Sequence, residues 1–160
     1  MLSARGVLSG VAARRAAEPA PTPIRSAIEV FVDNLEQCSE LAVRPRPIRT
    51  VGFYVGGREL GHVHLDGRID LHLPPRLHDY VIATDRAEHH PFHDSNGWVT
   101  HRIESAADID EAAWLIRAAL VSCHLAQRGP DHEATVRELE AIGAGAALVK
   151  VMQPSIPRVA

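Results

Sequence analysis

The sequence predicts an α+β domain, in which an antiparallel meander of four strands carries helices on one face. Residues 24–43 and 107–128 repeat apolar side chains at intervals of three and four residues, as amphipathic helices do. Between them, short apolar segments are separated by Gly-Gly and Asp-Gly pairs, which favour tight hairpins. Of the 160 residues, 46% are hydrophobic, which is enough for one buried core.

The first helix is predicted over residues 24–43, with Ser26 as its N-cap. Pro45 and Pro47 follow it in an Arg-Pro-Arg-Pro run. Proline lacks the backbone N–H that a helix needs and restricts the residue before it, so this run is expected to stop the helix.

Three strands are predicted next, over residues 48–55, 58–64 and 68–73. A pair of prolines then opens a short helix over residues 76–84, and a polar loop leads to a fourth strand over residues 98–103. The long helix and a last helix complete the predicted order α-β-β-β-α-β-α-α.

A single domain is expected over residues 23–152, followed by a loose tail at 153–160. Residues 1–22 are rich in Ala, Pro and Arg, with Glu18 as their only acid. We expect a disordered tail there; an organelle transit peptide, which is also poor in acids, is the alternative. The last helix is expected to be capped by Asp131.

The composition argues against several classes of function. The net charge is −3 and the aromatic content 4%, so neither a basic stripe nor stacking platforms for nucleic acid are expected. No apolar run approaches the roughly 20 residues that span a bilayer. Cys38 and Cys123 are far apart in sequence and are expected to be free thiols. We therefore expect a cytoplasmic protein.

Histidine is the most informative residue type in this chain. Eight of its ten histidines fall between His62 and His101. Histidine changes charge near neutral pH and is a common metal ligand. Because side chains alternate along a strand, His62 and His64 share one face.

Two registers are open to the hairpin that follows these two histidines. With a two-residue loop, Leu65 pairs with Arg68 and the histidines share a face with apolar side chains. With a three-residue loop, Gly67 is a left-handed bulge residue and His64 pairs with Arg68. The second register separates polar from apolar side chains and is favoured. It predicts one polar patch: His62, His64, Arg68, Asp70 and His72.

The residues alone leave three interpretations of this patch. His62, His64 and His72 could bind zinc, iron or copper, with His90 or His93 as a later ligand. Alternatively, the histidines are simply solvated on an open sheet face. In the third interpretation, that face binds another protein or a second copy of the chain, forming a homodimer.

Several short motifs occur in an order that resembles the luciferase-like domain family, which includes fungal luciferases and small bacterial proteins of unassigned function. They are Arg58-Glu59-Leu-Gly-His62-Val-His64, Leu71-His72-Leu73, His90-Pro91, and Trp98 ahead of a long helix. The resemblance spans about residues 58–120.

The resemblance implies an oxygenase that uses no metal or organic cofactor and adds O₂ to an electron-rich phenol or hydroxypyrone. A base would form the reactive anion, with His62 or His64 favoured, and a second imidazole or Arg68 would stabilise it. The implied catalytic residues are His62, His64, His72 and His90. The expected substrate-binding residues are Glu59, Arg68, Asp70 and Trp98.

Overall fold

The computed structural model describes residues 22–92, 96–128, 132–143 and 145–152. The predictions for most of the N-terminal tail, for His93, for Asp131 and for the C-terminal tail lie outside these residues. The helices are α1 (Pro23–Glu36), α2 (Pro75–Ala83), α3 (Ala106–Arg128), α4 (His132–Ala141) and α5 (Ala146–Met152). The strands are β1 (Ala42–Arg46), β2 (Thr50–Val55), β3 (Arg58–His64), β4 (Arg68–His72), β5 (Glu88–His89) and β6 (Trp98–Arg102).

The predicted α+β class is confirmed, but the sheet of the described residues has six strands instead of four. All neighbours are antiparallel, in the order β1-β2-β3-β4-β6-β5. Both additional strands lie at sheet edges. Pro45 lies within β1, where an edge strand tolerates the missing N–H, and β5 has only two residues.

The first helix is shorter than predicted, and it begins earlier. It ends at Glu36, and Ala42 and Val43, which were expected at its end, pair with β2 instead. Its N-cap is Thr22, whose Oγ1 accepts the N–H of Arg25 at 3.2 Å, and not Ser26. A proline at the first helical position fits this start. A fifth helix, α5, follows α4, although only one helix was predicted after the long helix.

The predicted three-residue loop between β3 and β4 is confirmed. Gly67 has a φ of 105°, and His64 pairs with Arg68 while His62 pairs with Asp70. A Cβ at Gly67 would lie 2.8 Å from the carbonyl oxygen of Ile103, so only glycine fits this turn. The two faces of the sheet are therefore chemically distinct.

Side chains of one face, which we call the apolar face, join all five helices in one core. Ile28, Val63, Ile69, Leu115 and Leu148 are at most 1% exposed. Buried side chains of this size each contribute about 1.5–3 kcal/mol to the free energy of folding, so the packed helices hold the strands in register. The helices cover only this face of the sheet. We call the other face the polar face: Arg46, Thr50, Glu59, His62, His64, Arg68, Asp70, His72, Trp98 and Thr100.

A β-bulge in β3 determines the position of Glu59. Phe53 pairs with Gly61 but Tyr54 pairs with Glu59, so Leu60 is the extra residue. Leu60 is 4% exposed and packs into the core. The bulge turns Glu59 toward His62 on the polar face, although simple alternation would place these two residues on opposite faces.

Within the described residues, no helix has both the length and the apolar character needed to cross a membrane.

Candidate functional site

The carboxylate of Asp70 lies at the centre of the polar face and is 1% exposed. Its Oδ1 accepts the hydroxyl of Thr100 at 2.6 Å, from the neighbouring strand β6. Its Oδ2 lies 3.1 Å from His64 Nε2 and 3.4 Å from His62 Nε2. A buried carboxylate must be hydrogen-bonded, and Asp70 has partners on both oxygens.

Positive charge also surrounds Asp70. Arg68 Nε is 3.4 Å and His90 Nε2 3.7 Å from its Oδ2. Burial alone would raise the pKa of this carboxyl. The hydrogen bonds from His62 and Thr100 and the charges of Arg68 and His90 outweigh burial and lower the pKa to about 2. Asp70 is thus a fixed anion at neutral pH.

The imidazole of His64 is held in its neutral form. Burial first, then the neighbouring Arg68 guanidinium and His62, lower the pKa of His64, and Asp70 opposes them only in part. When Nε2 carries the ring proton toward Asp70, Nδ1 keeps a lone pair. The nearest hydroxyl, Thr50 Oγ1 at 3.5 Å, donates its own proton to the carbonyl oxygen of Ile48. Arg68 Nη2 also lies 3.4 Å from Nδ1, so a ligand that gives its proton to Nδ1 takes the place of this guanidinium contact.

His62 belongs to a second polar group at the same strand. Its Nδ1 lies 2.9 Å from Glu59 Oε1 and 3.0 Å from Arg46 Nη1. Arg46 and Glu59 also form an ion pair. Arg46 comes from β1, the strand that the sequence was not expected to form. The ring of His62 is thus held from both ends, by Glu59 and by Asp70.

The indole of Trp98 contacts three histidine rings, those of His62, His72 and His90. Ring centroids of His62 and His72 lie 5.5 Å from it, and that of His90 lies 6.2 Å away. His90 is 8% exposed, and its Nδ1 accepts the N–H of Phe92 at 3.1 Å. A ring proton of His90 is therefore on Nε2, the nitrogen nearest Asp70.

A pocket of about 1150 Å³ opens beside His62, His64 and Arg68. The turn between β1 and β2 forms another wall, where Ile48 is 92% exposed and has a φ of 61°. A β-branched residue with positive φ is a genuine outlier, and such strain concentrates at functional sites. The volume exceeds the upper end of the usual range for small-molecule pockets. A second pocket, of about 620 Å³, includes His72 and Glu59.

The structure brings the predicted site residues together, since Trp98 contacts His62 and His90 and His72 contacts Trp98. The group around Asp70 contains Glu59, His62, His64, Arg68 and His90. His72 and Trp98 contact one another at its margin. Sequence reasoning missed Arg46, Thr50 and Thr100. Thr100 could have been found from alternation along the predicted fourth strand, whereas Arg46 was assigned to a helix stop.

Comparison with known proteins gives one finding. Residues 57–119 match the family model of the Luciferase domain. This segment runs from the start of β3 into α3, and it contains every histidine around Asp70. Among curated proteins and among solved structures, nothing matches the chain. The resemblance indicated by the ordered histidine motifs is thus confirmed for residues 57–119, which are similar to the Luciferase domain.

Proposed function

We propose that this protein binds a small, electron-rich phenol or hydroxypyrone and promotes its reaction with O₂ without a cofactor, with His64 as the general base. The observation that carries the proposal is the environment of His64. Its Nε2 is 3.1 Å from a buried anion, its pKa is lowered, and its Nδ1 retains a lone pair beside the large pocket.

In the proposed reaction, Nδ1 accepts the proton of an acidic hydroxyl group. Arg68 stabilises the resulting anion, because both ring nitrogens of His62 already face carboxylates. Asp70 stabilises the imidazolium formed on His64, as the buried carboxylate of a catalytic triad does for its histidine. A carbon of the electron-rich anion then bonds to O₂, which oxidises that carbon, and the peroxide anion formed takes the proton back from His64 to give a hydroperoxide. A positioned base of this kind contributes about 10²–10⁴-fold to the rate.

Binding is the first test. Isothermal titration calorimetry of the untagged protein against a panel of hydroxypyrones and polyphenols should detect at least one ligand. The His64→Gln variant should bind it more weakly because the proton acceptor is gone. His89→Gln is the matched control, since His89 is exposed on β5 and outside the group around Asp70. No binding by the folded protein across the panel would reject the proposal.

Oxygen consumption is the second test. With a ligand identified by calorimetry, an oxygen electrode should record uptake by wild type and by His89→Gln, and much slower uptake by His64→Gln. Equal uptake by all three proteins would show that His64 is not the base.

A further inference from the structure

We propose that the Nε2 atoms of His62 and His64, together with Asp70 Oδ2, form a binding site for one divalent transition-metal ion, and that the ion switches off the base. The ligand atoms of these three residues lie within 4.8 Å of one another. This inference goes beyond the proposed function, and only its inhibitory part rests on it.

Two of the three distances among these atoms fit a shared ion. Oδ2 of Asp70 is 3.1 Å from Nε2 of His64 and 3.4 Å from Nε2 of His62. Two atoms that each bind an ion at about 2.1 Å are about 3.0 Å apart at a right angle and about 3.4 Å apart at the tetrahedral angle. The third pair, formed by the two histidines, lies within 4.8 Å, and an ion would draw these two side chains together.

The outer contacts are those of a metal site. Metal-binding histidines usually direct their second ring nitrogen at a carboxylate or another acceptor, and ligating carboxylates are hydrogen-bonded in turn. Here Glu59 lies 2.9 Å from Nδ1 of His62, and Thr100 donates to the second oxygen of Asp70. These contacts fix both ligands before an ion arrives.

The donor set indicates the class of ion. Two imidazoles and one carboxylate on one side, with positions left for water, are typical of Fe²⁺ sites and also suit Co²⁺ and Zn²⁺. Harder ions such as Mg²⁺ prefer oxygen ligands and should bind poorly.

Arg68 is the competitor of the ion. Its Nη2 lies 3.0 Å from His64 Nε2 and its Nε 3.4 Å from Asp70 Oδ2, so a positive charge already lies at this position. The side chain is 34% exposed at the beginning of β4, next to the hairpin turn, and can swing into solvent. Removing its charge should therefore strengthen ion binding.

Ion binding and base function exclude one another. An ion on Nε2 of His64 requires the neutral ring to carry its proton on Nδ1. Nδ1 then has no lone pair for a ligand proton. The ion should thus inhibit the proposed reaction, and a chelator should restore it.

The test uses Co²⁺ alone, added to untagged, metal-free protein, with visible absorption and calorimetry as readouts. Wild type should bind one ion per chain. Asp70→Asn and His64→Gln should each weaken binding by at least about 100-fold, more than loss of an outer contact costs. Arg68→Gln should tighten it about tenfold, while His89→Gln should match wild type.

Circular dichroism shows whether each variant is folded. If Asp70→Asn does not fold, His64→Gln alone tests the metal site. Equal Co²⁺ binding by wild type and His64→Gln, or weaker binding by Arg68→Gln, would overturn the site. Ion binding without any phenol or hydroxypyrone binding would leave the metal site standing and reject the proposed function. Ligand binding without Co²⁺ binding would leave the proposed function standing and reject the metal site.

Discussion

Histidines on the two faces of this sheet differ in what their ring nitrogens are bound to. On the polar face, His64 has one nitrogen at a carboxylate and the other beside a pocket. On the apolar face, His101 lies opposite Ile69, with Nδ1 3.1 Å from the carbonyl oxygen of Arg86 and Nε2 3.0 Å from that of Asp108. Both nitrogens of His101 face main-chain acceptors, so its role is to join β6 to two neighbouring segments.

The comparison shows that residue type alone does not define a site. Both imidazoles are half-buried on strands of one sheet, with β4 between the β3 of His64 and the β6 of His101. The difference is the partner: a carboxylate fixes the ring and leaves one nitrogen usable, whereas two carbonyl groups leave none. Substitutions on the polar face should therefore change turnover, whereas substitutions on the apolar face should change the free energy of unfolding.

The largest effect is expected from Asp70→Asn on turnover. Asparagine keeps the shape of the side chain but removes the anion that orients His64 and stabilises its protonated form. The rate of O₂ consumption with the ligand found by calorimetry should fall by about 10²–10⁴-fold. Turnover within a factor of two of wild type, in a folded variant, would contradict the role assigned to Asp70.

Next in size is the effect of His101→Ala on stability. The substitution removes a ring that lies between two carbonyl groups and a hydrogen bond to one of them, and it should cost about 1–2 kcal/mol in the free energy of unfolding. Urea denaturation measures this cost. Turnover per folded molecule should stay unchanged, because His101 is absent from the polar face. A large loss of turnover at unchanged stability would show that His101 acts in the reaction and does not stabilise the fold.

The alternation of polar and apolar residues was sufficient to predict the most important part of this fold. Only a three-residue loop places Val63 and Ile69 together on one face, and the burial of both residues supplies the free energy that selects this register. The short helix, the fourth strand and the long helix were predicted within about two residues of their bounds for the same reason, since each has one clearly apolar face.

The edges of the sheet could not be predicted in this way. The strand β1 is short, polar and contains Pro45, so its sequence resembles a helix stop, and only pairing with β2 makes it a strand. The central position of Asp70 in the site could not be predicted from the sequence either. Asp70 was expected as one member of a patch, but its burial depends on Thr100 and His90, which are distant in sequence.

Acid should remove part of the stability that the polar face provides. The folded pKa of Asp70 is about 2, below the unfolded value of about 3.9. Its contribution, about 2 kcal/mol, is therefore complete above pH 4 and is lost as the pH falls toward 2. Urea denaturation of wild type should show this loss between those pH values.

A pair of variants separates this loss from general acid unfolding. Asp70→Asn should lack it, because asparagine does not titrate. Asp110→Asn, at an exposed position on α3, should retain it. Identical acid profiles for both variants would show that Asp70 is not the source.

The smallest expected effect is the pH dependence of turnover, and it tests the cause of the lowered pKa of His64. Only the neutral ring accepts a proton, so turnover falls as the pH drops through the pKa of His64. An ordinary histidine, with a pKa of about 6.5, would lose about tenfold by pH 5.5. Because burial and Arg68 lower the pKa of His64, wild type should lose less than that.

Arg68→Gln removes one of these causes and should move the midpoint of the profile to higher pH, even though its maximal rate also changes. A midpoint that stays in place or moves to lower pH would show that the charge of Arg68 does not act on His64.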